Sequence, residues 1–135
     1  MTRIFLLEDH DVIRRFSAFV LEREPDLEVV AAAGSLKEAR NGTSKRWPEV
    51  DIALIDLLMP DGIGTDLIAE LRKAKPGLPV IVLTVLTQHE AHSWAFQWGA
   101  NEVISKEKEN PLEEVVSAIK RLGGANRAEA EPARS

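Results

Sequence analysis

The sequence predicts an α/β domain built on a parallel sheet, and three observations predict it. Short apolar runs recur at residues 4–7, 29–33, 52–55 and 80–83, each too short for a helix and too continuous for a half-exposed strand. Between the runs the apolar period changes to that of a helix. The chain has 135 residues, 44% of them hydrophobic, which suits one ordinary domain with one buried core. A fifth strand, residues 102–105, is placed by its spacing more than by its composition. Five β-then-α units give, by the right-handed crossover rule, an open parallel sheet with helices on both faces.

Taken in order, the first helix carries Val12, Ile13, Phe16, Phe19 and Val20 at helical spacing, with Asp11 able to cap its first turn and Pro25 closing it. The second opens at the Ser35…Glu38 capping box, and Gly42 and Thr43 interrupt it. Residues 66–73 carry Leu67, Ile68 and Leu71 for the third, and the Thr87…Glu90 capping box begins the fourth. The fifth has Asn110 before Pro111 at its first position, Glu113 as capping-box partner, and a stripe of Leu112, Val115, Val116, Ile119 and Leu122. Gly123-Gly124 is expected to stop it. The reading is therefore a domain over 1–122 and a flexible tail or linker over 123–135, rich in small residues, Glu and Arg.

Composition excludes several functions. Without cysteine there is no disulfide framework, thiolate metal site or cysteine nucleophile. No apolar run approaches the roughly 20 residues of a membrane span, and the first nine residues meet acid too early for a signal peptide. With 17 Lys+Arg against 22 Asp+Glu, a net charge of −5, the chain lacks the basic stripe that direct nucleic-acid binding requires. A cytoplasmic protein with no membrane partner is expected.

Ligands of open α/β sheets bind outside the carboxyl ends of the strands. There the sequence places Glu8 and Asp9 after the first strand, Asp56 after the third, Thr84 after the fourth and Lys106 after the fifth. Carboxylates before helices often only cap donors, which suffices for Asp11. Three acids converging without a cation would instead repel one another. An oxygen-only set without histidine suits a hard divalent ion, Mg²⁺ above others, while Lys106 is better suited to a phosphoryl oxygen. A carboxylate beside Mg²⁺ and a lysine is a phosphoryl acceptor, a hydroxyl such as that of Thr84 can bond the transferred group, and Asp56 is the best placed nucleophile.

These residues, with the run Asp56-Leu57-Leu58-Met59-Pro60-Asp61-Gly62-Ile63-Gly64 and Gly99-Ala100 before the fifth strand, resemble the receiver domain of a two-component response regulator over about the first 122 residues. The resemblance implies a flavodoxin-like (βα)5 doubly wound sheet of order 2-1-3-4-5. It implies phosphorylation of Asp56 by a sensor histidine kinase, with Asp9 and Asp56 binding Mg²⁺ directly, Glu8 through water and the Leu58 carbonyl as the remaining protein ligand. Thr84 and Lys106 would contact the phosphoryl group, Thr84 moving toward it, and Pro60 and Gly64 would shape the acceptor loop. Such a domain is a phosphoacceptor that catalyses only its own phosphorylation and dephosphorylation. The run Ser105-Lys106-Glu107 resembles receivers joined to a C-terminal LuxR-type helix-turn-helix, usually transcription regulators; that output domain is absent from this chain, and self-association into a homodimer is a further use such receivers make of their last helix.

Three departures from the pattern stand out. Val103 occupies the switch position that usually holds Tyr or Phe and is read as a core strand residue. Val85, Leu58 and Leu86 place apolar groups where polar or small ones are common, which would hinder an attacking water and lengthen the life of a phosphoaspartate. Trp94 and Trp98 lie one turn apart on the fourth helix; packing is the preferred reading, and a partner-facing patch the alternative. Two other functions compete. A phosphatase of the haloacid dehalogenase type would match Asp9-His10-Asp11 but needs more chain and a later acidic pair. A receiver-like interaction module that never takes phosphate is favoured by Val103 alone. His10, His89 and His92 form no ligand cluster by spacing, and His89 and His92 are expected on the solvated surface.

Overall fold

The computed structural model describes residues 1–86, 89–107 and 109–130, with backbone alone from 124 onward. Its elements are β1 (Thr2–Leu7), α1 (Asp11–Glu22), β2 (Leu27–Ala33), α2 (Leu36–Glu38), β3 (Ile52–Asp56), β4 (Leu58–Met59), β5 (Gly62–Ile63), α3 (Ile68–Ala74), β6 (Val80–Thr84), α4 (His89–Gln97), β7 (Glu102–Ser105) and α5 (Pro111–Ala130). Five strands form one parallel sheet in the order β2-β1-β3-β6-β7, the expected 2-1-3-4-5 once the two-stranded hairpin β4-β5 is counted apart. This is the flavodoxin-like arrangement, with the order reversing at β1 and β3.

Each sheet face carries its own core. Phe5, Leu7, Ala53, Ile55, Val80 and Val82 point to one side, against Trp47, Leu67, Ile68, Leu71 and Ala95. Ile4, Leu6, Ile52, Leu54, Ile81 and Leu83 point to the other, against Leu21, Val115, Ala118 and Ile119. Alternation of this kind along strands buried on both sides is why the runs read as continuously apolar.

The structure corrects four expectations. First, an apolar stripe on a helix ordinarily faces the core, but Val12, Ile13, Phe16 and Phe19 of α1 are all exposed and its buried residues are Ser17 and Leu21. Small Ser17 and half-buried Ala18 let the helix lie close to the sheet, so the sheet takes the face opposite the stripe. The cap is also different: His10 Nδ1 accepts from the Ile13 amide, while exposed Asp11 pairs with Arg14. Second, the second helical segment is a single α turn that widens to a π turn over Ala39–Thr43 and tightens to a 3-10 helix over Ser44–Glu49. Thr43 holds that junction, its hydroxyl donating to the Ala39 carbonyl at 2.6 Å and accepting from Trp47 Nε1 at 3.0 Å.

Third, the segment expected to be helical from 66 begins as a 3-10 turn over Gly64–Leu67 and becomes α-helical only at Ile68. Fourth, Gly123-Gly124 does not stop the last helix, which runs to Ala130. Gly123 instead permits packing, because a Cβ there would meet Thr2 Cγ2 at 2.9 Å. Pro111 opens α5 as expected. Thr87, the expected cap of α4, and residues 131–135 of the expected tail lie outside the described residues.

Candidate functional site

The carboxyl ends of β1, β3, β6 and β7 deliver the predicted residues to one crevice. Glu8 leaves β1 and is buried, its backbone amide donating to the Ala33 carbonyl at 3.0 Å. Asp56 ends β3 and is buried, and Thr84 ends β6 with 1% exposure. Lys106 follows β7, its amide donating to the Thr84 carbonyl at 2.8 Å. Its ammonium bridges the two buried acids, 2.6 Å from Glu8 Oε1 and 2.7 Å from Asp56 Oδ2. Asp9, exposed, completes a carboxylate set with Glu8 and Asp56 in which one oxygen from each lies within 4.8 Å of the others.

Burial sets the electrostatics. It pushes the Asp56 carboxyl up to about 6, with the nearby Glu8 charge adding to the effect and Lys106 opposing it. For Glu8 burial acts in the same direction, but hydrogen bonds from Lys106 and from the His10 amide outweigh it and hold the carboxyl below its ordinary value. Burial likewise disfavours the Lys106 charge, and its bonds to Asp56 and Glu8 outweigh that, so its pKa is raised. One ammonium therefore shares its charge between two acids, with a third acid at hand. This oxygen-only set, with more negative charge than Lys106 can balance, fits a hard divalent cation.

The acceptor loop is shaped around Asp56. At Gly64 a Cβ would come within 2.0 Å of the Asp56 carbonyl oxygen and 2.6 Å of Ile55 Cγ2, so only glycine lets the loop close against β3. The Gly64 amide donates to the Leu57 carbonyl at 2.7 Å, and Leu57 in turn donates to Leu83 at 3.0 Å. Leu58, two residues past Asp56, and Val85, next after Thr84, are exposed, and Leu86 is half-buried against the core. The Thr84 hydroxyl accepts from the Leu86 amide at 3.0 Å, which leaves its own hydrogen to donate.

Val103 is half-buried and packs against the core, as a strand residue should. Trp94 and Trp98 are not buried: they are 38% and 47% exposed, with ring centroids 5.6 Å apart, and Trp94 Nε1 donates to the buried Thr65 hydroxyl at 3.1 Å. Core packing does not account for the pair. His92 is half-buried, and its Nε2 is buried with no hydrogen-bond partner among the described residues, whereas His89 is exposed as expected.

Three contributors were not legible in the sequence. Arg14 donates to the Glu8 carbonyl at 2.8 Å and fastens α1 to the end of β1. Asp61 accepts from the Leu36 and Lys37 amides at 2.9 and 3.0 Å, capping the second helical segment from 25 residues away, and those bonds lower its pKa. Thr65 holds the α4 indole. Each partner is remote in sequence, so no local pattern announces it; the charge of Arg14 one turn into a helix after an acid pair was the nearest available hint.

The pattern of the response regulator receiver domain matches residues 4–120. The chain belongs to the response regulator receiver family. Among its relatives, the DNA-binding transcriptional activator DevR/DosR of Mycobacterium tuberculosis is 35% identical over 123 residues, covering 91% of this chain and 55% of that protein. A protein-glutamate methylesterase/protein-glutamine glutaminase of Paramagnetospirillum magneticum is 32% identical over 142 residues, 98% of this chain and 37% of that protein. The receiver thus spans about half or less of the length of these curated relatives. A LuxR-family response regulator structure from Aurantimonas sp. SI85-9A1 superposes with a TM-score of 0.78 at 26% identity, covering 93% of this chain and 87% of that one. The resemblance to the LuxR type read from the residues around Lys106 accords with these relatives, and the receiver is a two-component signalling domain.

Proposed function

We propose that this receiver accepts a phosphoryl group on Asp56 from a sensor histidine kinase in a Mg²⁺-dependent reaction and passes that state to an output. The observation that carries the reading is the Lys106 ammonium set between Glu8 and Asp56, with Asp9 in reach, at the sheet's carboxyl edge. Glu8, Asp9 and Asp56 would hold the ion, with the Leu58 carbonyl as the further ligand. When bound, Mg²⁺ supplies charge neutralisation for the equatorial phosphoryl oxygens. An Asp56 carboxylate oxygen forms a bond to phosphorus as the bond from phosphorus to the donor imidazole nitrogen breaks, and that nitrogen leaves with its electron pair and is protonated. Lys106 turns from Asp56 to a phosphoryl oxygen, and the free hydrogen of the Thr84 hydroxyl donates to another.

The domain would span 1–122, with 123–135 leading to an output segment, a LuxR-type helix-turn-helix, in a cytoplasmic regulator. Leu58 two residues past Asp56, and Val85 and Leu86 directly after Thr84, are apolar and would not position an attacking water themselves, which supports a long-lived phosphoaspartate. With Val103 at the switch position, the signal would travel through Thr84 and the β6 backbone. The exposed Trp94-Trp98 pair, with Trp94 lining an apolar cavity with Leu57, Leu58, Ile63, Leu86 and Ala91, would serve as a partner surface. Val103 also favours the second reading, an interaction module independent of phosphate.

Acetyl phosphate with Mg²⁺ and an intact-mass measurement separates the two. One added phosphoryl group, absent in Asp56→Asn and without metal, is expected. No adduct under conditions that modify another receiver would leave the interaction module standing.

A further inference from the structure

Glu8 and Asp9 leave β1 one after the other, and the peptide group between them, made of the Glu8 carbonyl and the Asp9 amide, is a rigid plane that sets the direction from which both side chains start. Hydrogen bonds fix the chain on either side of that plane. The Glu8 amide donates to the Ala33 carbonyl at 3.0 Å, and the His10 amide donates to Glu8 Oε2 at 3.2 Å. The plane itself is held from α1, where Arg14 Nη1 donates to the Glu8 carbonyl at 2.8 Å and Nη2 of the same guanidinium pairs with Asp11. We propose that Arg14 is a positioning residue for the cation site, pinning the Glu8-Asp9 peptide so that the Asp9 carboxylate stays in reach of Asp56. The proposal rests on the reading of Glu8, Asp9 and Asp56 as the residues that hold Mg²⁺.

Asp9 is the acid that depends on such help. Lys106 fixes the buried carboxylates of Glu8 and Asp56 at 2.6 and 2.7 Å, whereas Asp9 is exposed and comes within 4.8 Å of them without that anchor. Mg²⁺ demands a near-octahedral set of oxygens, so a group that orients a ligand governs affinity although it never touches the ion.

The surroundings of Arg14 suit a guanidinium. Its planar fork offers one donor to a main-chain carbonyl and another to a carboxylate, a geometry that the compact ammonium of lysine does not reproduce. Gly34, the residue after β2, leaves the space that the fork fills: a Cβ there would lie 2.8 Å from Arg14 Nη1 and 3.5 Å from Cζ. The Arg14 side chain is accordingly 19% exposed, against 74% for Asp11. An ordinary surface ion pair three residues apart on a helix would need neither the glycine nor the carbonyl beyond β1.

The sign of the effect separates positioning from charge. Arg14 carries a positive charge on the helix that follows the acid pair, so by charge alone its removal would tighten the hold on a divalent cation. Release of the pinned peptide would loosen it.

Calorimetric titration of the whole chain with Mg²⁺, well below its melting temperature, tests the proposal. Arg14→Gln is expected to weaken Mg²⁺ binding by roughly tenfold. Gly34→Ala keeps every charge but displaces the same guanidinium, and should weaken binding severalfold. Both variants should keep the far-UV circular dichroism of the unaltered chain, and a given Mg²⁺ concentration should raise their melting temperatures less. Arg14→Gln binding Mg²⁺ as tightly as the unaltered chain, or more tightly, would overturn the proposal, as would full affinity in Gly34→Ala. Should Arg14→Gln fail to fold, Gly34→Ala decides alone. An unaltered chain that takes up no Mg²⁺ would overturn the metal reading itself and this role with it, whereas Mg²⁺ uptake indifferent to both substitutions would overturn the role of Arg14 and leave the metal reading standing.

Discussion

Helices α1 and α5 lie on the same face of the sheet and both carry a clear apolar stripe, yet they use it in opposite ways. On α5, Val115, Ala118 and Ile119 are buried against Ile4, Leu6, Ile81 and Ile104. On α1 the sheet receives Ser17, Ala18 and Leu21, while Phe16 and Phe19 look outward. An amphipathic pattern therefore tells that a helix has an apolar side and leaves open what covers that side. For α5 it is this domain's own core; on α1 the stripe stays exposed among the described residues.

The largest effect that would break this contrast is a truncation in each stripe. Ile119→Ala should lower stability by about 2–5 kcal/mol through a cavity in the second core, whereas Phe19→Ala should change it by less than about 0.5 kcal/mol. Denaturant melts of the two variants at a concentration too low for association make the comparison. Equal losses would mean that the α1 stripe is covered within the chain.

The acid site lies between the starts of the two helices, with Ile13 and Phe16 on one side and Pro111 and Leu112 on the other. The Asp56 charge is expected to oppose folding. With Asp56 raised to about 6 from 3.8, the folded chain binds more protons than the unfolded chain between those values. The Asp56 contribution should therefore be fully present below about pH 4 and be lost as pH rises through about 6. Asp56→Asn should remove that loss, gaining about 2 kcal/mol at pH 7 and nothing near pH 4, as thermal melts across pH would record. Added Mg²⁺ should raise the melting temperature of the unaltered chain and leave Asp56→Asn unmoved.

A smaller effect sharpens the contrast at the helix starts. The α1 start depends on the His10 side chain, whereas α5 opens on a proline that needs no donor partner. His10→Ala should cost about 1 kcal/mol. Least of all, Asp61→Ala should lower the melting temperature slightly at neutral pH, and the difference should fade as pH falls through the lowered Asp61 pKa, since the bonds to Leu36 and Lys37 need the carboxylate.

Much of the site was legible because its residues sit at strand ends. Once five strands are placed, Glu8, Asp9, Asp56, Thr84 and Lys106 must emerge at one edge of a parallel sheet, whatever the helices do. Arg14 and Asp61 were hidden because each serves a backbone group that only the folded chain brings near. The π turn at Ala39–Thr43 was signalled by Gly42 and Thr43 only as an interruption, because its form depends on the Trp47 indole reaching Thr43. Gly123 read as a helix stop since glycine weakens helices, but its contact with Thr2 lies 121 residues away along the chain.

By itself the sequence determined the strands, their shared direction, the positions of the acids and the lysine, and the existence of two amphipathic helices, because these follow from local period and chain order. Only the tertiary structure decided which way α1 turns, that one ammonium joins Glu8 to Asp56, and that Trp94 and Trp98 remain at the surface. Those outcomes depend on the competition among distant groups for the same buried space and the same hydrogen bonds, and no local pattern of residues encodes the result of that competition.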